Sequence, residues 1–484
     1  MTKSAMVAAA LLLGCNTAPP ELLPPPFGPG GPQPARLFFP TGLAQVPDGG
    51  LLVANGNFNR AFEAGTMVNL DRTYVASLLD NCVAASSDGG VSADAGVNPD
   101  GGCNPQIPPE KFLGSAMIGN YAGPIALNSA GTVAFTASRD NGRINAVRID
   151  PDGHLGCAAD AGNDATRDCR QGIIDLTAAG LEGPYSIVPG DTIPPGATAP
   201  QEVFFVSSIV PHIESITSGT IFASTSVAAL SMPATAQDPS RLLFQMVAGA
   251  QFVGNYQVPY GVGSMVFDRS RRRLYLGGCY YRSSALGAGE PGTALCTVRN
   301  NFLRIIDVDA ASVADPQVID LRTDVLSTYT VQMLLDVADP LATPASPITT
   351  LWATMRSPDS LVVIDLPAQP SVAPRVREII PLPSAPADMA RIDRGAAAPL
   401  VAVVAEKIGA VAIVDTGTSQ VVAQIDGLGN SPFNIQNVDC PSSLAGSACL
   451  AVSVFADCRI ALIQVPKADP AASSLRALAG SCPK

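Results

Sequence analysis

Short apolar runs, each closed by a turn and many ending near aspartate, recur along this chain. The clearest are Thr66-Met67-Val68-Asn69-Leu70-Asp71, Asn145-Ala146-Val147-Arg148-Ile149-Asp150, Leu303-Arg304-Ile305-Ile306-Asp307, Leu361-Val362-Val363-Ile364-Asp365 and Val411-Ala412-Ile413-Val414-Asp415. A second set precedes them, including Leu51-Leu52-Val53-Ala54, Val133-Ala134-Phe135-Thr136-Ala137, Leu351-Trp352-Ala353-Thr354 and Val401-Ala402-Val403-Val404. Runs of four to eight apolar residues between turn signals read as strands buried on both faces. Turn pairs open each group, as at Thr41-Gly42, Gly123-Pro124, Gly183-Pro184, Ala385-Pro386 and Ser431-Pro432. The pattern predicts about seven units of roughly 45–80 residues, close to the period of a four-stranded propeller blade once insertions are allowed. Six or eight blades remain open if the stretches 211–257 or 315–347 are read differently. An open array of β-sandwiches is the competing all-β arrangement.

Two stretches break the period. Residues 16–34 are proline-rich, with Pro24-Pro25-Pro26, and are expected to form an extended stalk outside the core. Residues 80–110 are dominated by Asp, Gly, Ala and Ser and read as a low-complexity insert. Loops between second and third strands open on the same face as the blade-to-blade connections. Asn55–Gly65, Asp80–Glu110, Ser207–Gly219 and Gly278–Asn300 are all placed on that face. Residues 35–40 are a candidate extra strand for the last blade, which would clasp the ring.

Composition agrees with many short strands. Charged residues are only 14% of the 484, while Gly (44) and Pro (43) are abundant. The net charge of −12 gives no basic footprint for a nucleic-acid backbone. The one cationic cluster, Arg269 with Arg271–Arg273, lies between two strand-like runs and reads as a solvated turn.

The N-terminus carries one early cation, Lys3, a short apolar stretch and the run Leu12-Leu13-Gly14-Cys15. This resembles the signal and lipobox of bacterial lipoproteins. The resemblance implies removal of residues 1–14, acylation of Cys15 and a tether to the membrane from outside the cytoplasm. Asn16, where the inner-membrane retention signal has aspartate, favours the outer membrane of a Gram-negative envelope. Ten cysteines remain, an even number, and fall in close sequential pairs: Cys82/Cys103, Cys157/Cys169, Cys279/Cys296, Cys440/Cys449 and Cys458/Cys482. An exported compartment permits disulfides, so five local bridges are expected. The last four cysteines leave Cys449–Cys458 open as a rival pairing.

The run Val411-Ala412-Ile413-Val414-Asp415-Thr416-Gly417-Thr418, followed by Val421-Val422-Ala423-Gln424-Ile425, resembles the repeats of YVTN-type β-propellers, including their lactonase-like group. The resemblance spans most of residues 37–482. It implies an all-β, seven-bladed propeller of four-stranded antiparallel blades over 35–484.

Catalytic signatures are sparse. The chain has no Gly-x-Ser-x-Gly elbow, no His-Glu-x-x-His, no phosphate-binding glycine loop and no dinucleotide fingerprint. Its two histidines are His154, in a turn, and His212, beside Glu214 in a candidate top-face loop. Asp160, Asn163, Asp164, Thr166 and Asp168 offer alternate oxygens to calcium. Gly162 occupies a ligand position, however, and no glutamate closes the loop; no metal and no cofactor are assigned. Candidate binding residues are Asn57, Phe58, Arg60, His212, Tyr280, Tyr281 and Arg282, since aromatics beside Arg and Asn suit recognition surfaces. The expectation is a non-catalytic binding or scaffold module, with an envelope protein or glycan as partner. The alternatives are a lactonase-like hydrolase working in the propeller funnel and a metal-dependent structural protein.

Overall fold

A computed structural model describes most of the chain from Leu22 to Cys482. Residues 1–21, 29–32, 83–102, 248–256, 283–295, 310–316, 321–328 and 338–347, isolated positions and 483–484 lie outside the described part, as do the side chains of parts of blades 3 and 4. The signal, Cys15 and most of the insert fall there.

Seven antiparallel sheets follow one another around a ring. Blade 1 comprises Pro40–Gln45, Leu51–Asn55, Gly65–Leu70 and Phe112–Ile118, and blade 2 Ala122–Leu127, Val133–Ser138, Arg143–Ile149 and Leu155–Cys157. Blade 3 runs through Glu182–Thr192, Gln201–Val210, Ser226–Ser231 and Leu242–Val247. In blade 4 the inner position is split into Gln257–Pro259 and Ser264–Asp268, both paired to Arg273–Arg282, before Cys296–Asp307 and Gln317–Asp320. Blade 5 has Tyr329–Leu335, Thr350–Arg356, Ser360–Asp365 and Arg375–Pro381; blade 6 has Pro386–Arg394, Ala397–Ala405, Ala410–Asp415 and Gln420–Ile425. Blade 7 ends the ring with Pro432–Val438, Ser447–Val454, Arg459–Pro466 and Ser474–Ala479. The inner strands pack each against the next, and that of blade 7 against that of blade 1.

The sheet-on-sheet packing explains the sequence pattern. Second and third strands are sandwiched between neighbouring blades, so both of their faces are buried and they lose period-two alternation. Leu51–Asn55 is buried throughout and Ala410–Val414 likewise, whereas the outer strand Gln420–Ile425 is mostly exposed. Core clusters therefore lie between blades, as where Leu400, Ala402 and Val404 of blade 6 meet Leu450, Val452 and Ala461 of blade 7.

The clasp differs from the expectation. Residues 35–40 add no strand to blade 7, whose four strands all come from the C-terminal segment. Closure comes instead from the insert of blade 1. That insert follows the third strand, so it leaves on the face opposite the second-to-third-strand loops, contrary to the placement of Asp80–Glu110. It begins with a helix, Arg72–Asn81, capped by Asp71, whose side chain accepts from the Thr73 N–H. Val75, Leu78 and Leu79, spaced as one helical face, are buried. The end of this helix is gripped by blade 7, where Arg476 donates to the Leu79 carbonyl at 2.9 and 3.1 Å. Cys103 then runs parallel to the outer strand of blade 7: its N–H meets Arg476 O at 3.3 Å and its carbonyl accepts from Leu478 N at 2.8 Å.

Four cysteine pairs stand at disulfide distance. The Cα separations are 5.6 Å for Cys82–Cys103, 5.2 Å for Cys157–Cys169, 5.3 Å for Cys440–Cys449 and 4.8 Å for Cys458–Cys482. The rival Cys449–Cys458 is thereby excluded. The side chains of Cys279 and Cys296 lie outside the described part; their backbones sit on the paired strands of blade 4.

The cationic turn is not solvated. Arg271 is 5% exposed and pairs with the fully buried Asp268 at 2.7 Å, while its guanidinium also donates to Leu366 and Pro367 carbonyls of blade 5. Arg269 reaches Asp191 of blade 3 at 2.6 Å, and Arg272 pairs with Asp191 and Asp309. Three blades are buckled through one turn.

Candidate functional site

Six of the seven inner strands carry a register shift near their start, at Pro40/Gly42, Ala122/Ile125, Pro184/Ile187, Thr330/Gln332, Pro386/Met389 and Pro432/Ile435. A bulge frees backbone groups from the ladder, and short hydroxyl side chains on the second strands meet them. Ser207 Oγ accepts from Ser186 N at 3.3 Å and donates to Val262 O of the next blade at 2.7 Å. Thr354 Oγ1 accepts from Gln332 N at 3.0 Å, and Ser453 Oγ from Asn434 N at 3.0 Å. The bulges turn residues 124, 185, 332, 388, 433 and 434 toward the axis, where they line a small channel mouth of about 60 Å³.

A belt of polar groups crosses that mouth. Ser264 donates to Gln332 Oε1 at 2.8 Å, Gln332 Nε2 donates to Asp388 at 2.9 Å, Asn434 Nδ2 donates to Asp388, and Asn434 Oδ1 accepts from Leu43 N at 2.8 Å. The belt thus links blades 4, 5, 6, 7 and 1. Asp388 also accepts from the backbone of Met389 and Ile435, at 2.8 and 3.0 Å. Burial pushes its carboxyl above the usual range, and the four donors pull the other way without cancelling the loss of water. With both oxygens occupied, Asp388 is a structural keystone and has no spare lone-pair direction aimed at a reactant. Arg356, at the same mouth, donates to Pro386 O at 3.2 Å and pairs with Glu406.

Beside the channel, an arc of half-buried rings runs over the junction of blades 7, 1 and 2. Phe455 is the hub, with ring centroids 6.4 Å from Phe433, 5.2 Å from Phe39 and 4.9 Å from Phe58. Phe58 meets Tyr121 edge-on at 5.0 Å. Arg60 lies 5.3 Å over Tyr121, and Arg139 lies 5.4 Å over Phe58 and 5.2 Å over Tyr185. Tyr185 and Phe433 belong to both the arc and the channel lining. Asn57 shapes the loop: fully buried with φ 47°, it bonds Phe62 N and O and Asn120 Oδ1.

Of the residues expected from sequence, Asn57, Phe58 and Arg60 share one loop, with Asn57 supporting and the other two in the arc. His212 starts the hairpin His212–Thr217/Thr220–Ser224 that rises from blade 3, opposite Ser224. Tyr280, Tyr281 and Arg282 end the second strand of blade 4, opposite Pro259, Val258 and Gln257. The side chains of these four lie outside the described part. Sequence reasoning missed Tyr121, Arg139, Tyr185, Phe433, Phe455 and Asp388. The available signal was that aromatic or polar residues sit just inside the repeat starts, as in Pro432-Phe433-Asn434.

The acidic loop behind Cys157 faces arginines. Burial works against the charge on Asp164, but Arg148 at 2.8 Å and the Cys157 N–H outweigh it and hold its carboxyl below the ordinary range. Asp168 is likewise lowered by Arg170 at 2.6 Å. Among the described residues no group of three His, Cys, Asp or Glu could hold a metal ion.

No protein-family model matches the chain, and no curated protein matches it. Solved structures similar to it include hydrazine synthase from Kuenenia stuttgartiensis, at 11% identity over 91% of this chain and 99% of that one, with a TM-score of 0.49. A periplasmic gluconolactonase of Pseudomonas aeruginosa matches at 15% identity over 83% and 89%, TM-score 0.43. The β-propeller domain of Cps50 (Swd1) from Myceliophteria thermophila matches at 10% over 89% and 98%, TM-score 0.44.

Proposed function

We propose that this protein is a lipid-anchored β-propeller of the cell envelope that binds an envelope protein or glycan through its aromatic arc and channel mouth. The observation that carries the reading is the arc. Half-exposed rings stiffened by two arginines offer rigid contact area at low entropic cost, beside a pocket with polar groups. The ionisable groups at the mouth support binding over catalysis, since Asp388 and Arg356 are already committed to internal partners. Acylation of Cys15 would place this surface in an envelope, and Cys15→Ser should abolish both acyl labelling and membrane retention.

The test of the binding surface is affinity capture from envelope extract, with bound proteins and glycans identified by mass spectrometry. A partner held by the native protein and weakened about tenfold or more by Phe433→Ala or Phe58→Ala, ~1.4 kcal/mol or more, supports the reading. Capture unaffected by either change places binding elsewhere. Turnover of a lactone or ester at the mouth would replace the reading with the hydrolase.

A further inference from the structure

The segment that leads from Cys15 into the propeller does not stand clear of it. Leu23 forms a bridge with Phe62 in the arc-bearing loop of blade 1; its N–H reaches Ala61 O at 3.4 Å and its carbonyl accepts from Glu63 N at 2.9 Å. Four residues on, Phe27 is 5% exposed, with Arg167 lying 4.3 Å over its ring and Ser115 bonded to its carbonyl. Segment Leu22–Gly28 is therefore docked along blade 1, and any tether from Cys15 meets this docked segment at Leu22.

Leu22 follows Cys15 by seven residues. At ~3.3–3.6 Å per residue, seven residues reach no more than ~25 Å however they run. A propeller on so short a leash cannot turn its opposite face to the bilayer without undocking the segment. The point of attachment is itself apolar on the outside: Leu22 and Leu23 are 41% and 57% exposed, among the few large hydrophobic side chains left in water. Leu23 lines a groove of about 330 Å³ together with Phe39, Phe62 and Arg36, with the exposed Arg60 on the same loop as Phe62.

We propose that this rim, Leu22, Leu23 and Phe39 with Arg36 and Arg60, is a lipid-facing surface that seats the propeller on the membrane with the arc and channel mouth held next to it. The inference rests on acylation of Cys15. Leucines and rings enter the headgroup boundary while arginines meet anionic phosphates. The ligand of the channel mouth is then a component found at the membrane surface.

The experiment uses full-length acylated protein in vesicles of phosphatidylethanolamine and phosphatidylglycerol containing bromine-labelled acyl chains. The native Trp352 is the only tryptophan and is 1% exposed, within blade 5, so it contributes a steady background. Leu23→Trp protein should lose most of its added emission to the bromolipids. Val372→Trp protein, labelled at a 47% exposed position on the opposite face, should keep its emission. Equal quenching of the two, or none of either in protein whose Cys15 acylation is confirmed by mass, overturns the seating while leaving the anchor intact. Absence of the acyl chain overturns the anchor, and the seating with it.

Discussion

The seam between blades 7 and 1 and the junction of blades 3, 4 and 5 do the same job by different means. At the inner junction the chain is continuous, and neighbouring blades are held by ion pairs and carbonyl contacts around Arg271 and Arg272. At the seam the partners are almost a full chain apart, and helix, backbone pairing and disulfides combine there. Leu79 meets Arg476, Arg72 pairs with Asp439 at 3.0 Å, and Cys458–Cys482 pins the last strand. Closing a long loop costs entropy that a local junction does not face. Backbone hydrogen bonds and side-chain contacts between the two chain ends therefore gather where continuity is missing, and the disulfides stiffen the segments that make them. The aromatic arc lies over the same seam on the other face, built from the turns of blades 7, 1 and 2 rather than from the insert.

The contrast can be sharpened by breaking each side. Arg271→Ala leaves Asp268 buried without its cation, and should destabilise the fold by ~3–5 kcal/mol in denaturant titration. Its effect on hydrogen exchange should centre on blades 4 and 5. Replacing Cys458 and Cys482 together by serine should cost about 2–4 kcal/mol, with faster exchange confined to blade 7 and the blade 1 helix. If both changes loosen the whole ring equally, the two junctions are not separate units. The smallest effect is expected from Asp71→Ala, which removes only the helix cap and should cost ~1 kcal/mol, read as faster exchange over Arg72–Asn81.

The blades were legible from sequence because burial on both faces writes continuous apolar runs between turns. Local disulfides were legible too, since each described pair bridges a single excursion. The helix Arg72–Asn81 was obscured by the adjoining low-complexity stretch, although Asp71 and the Val75, Leu78, Leu79 stripe mark it. The buried fate of Arg271 was invisible, because the carbonyls that cover its guanidinium lie on a neighbouring blade almost a hundred residues away, although its ion-pair partner Asp268 is local. For the site, one loop was readable: Asn57, Phe58 and Arg60 are adjacent in sequence. The rest of the arc is assembled from four turns of blades 7, 1 and 2 and the first residues of the inner strands of blades 7 and 3, and no local pattern records that Phe433, Phe455 and Tyr121 converge.

The most direct test is side-chain footprinting with hydroxyl radicals on the native protein, compared between intact envelopes and detergent extract. The account predicts that Phe58, Tyr121, Phe433 and Phe455 are shielded in the envelope and become reactive on extraction, while the exposed Val372 and Ile379 of blade 5 react alike in both. Equal reactivity of the arc in the two states, or shielding of blade 5 instead, would contradict it.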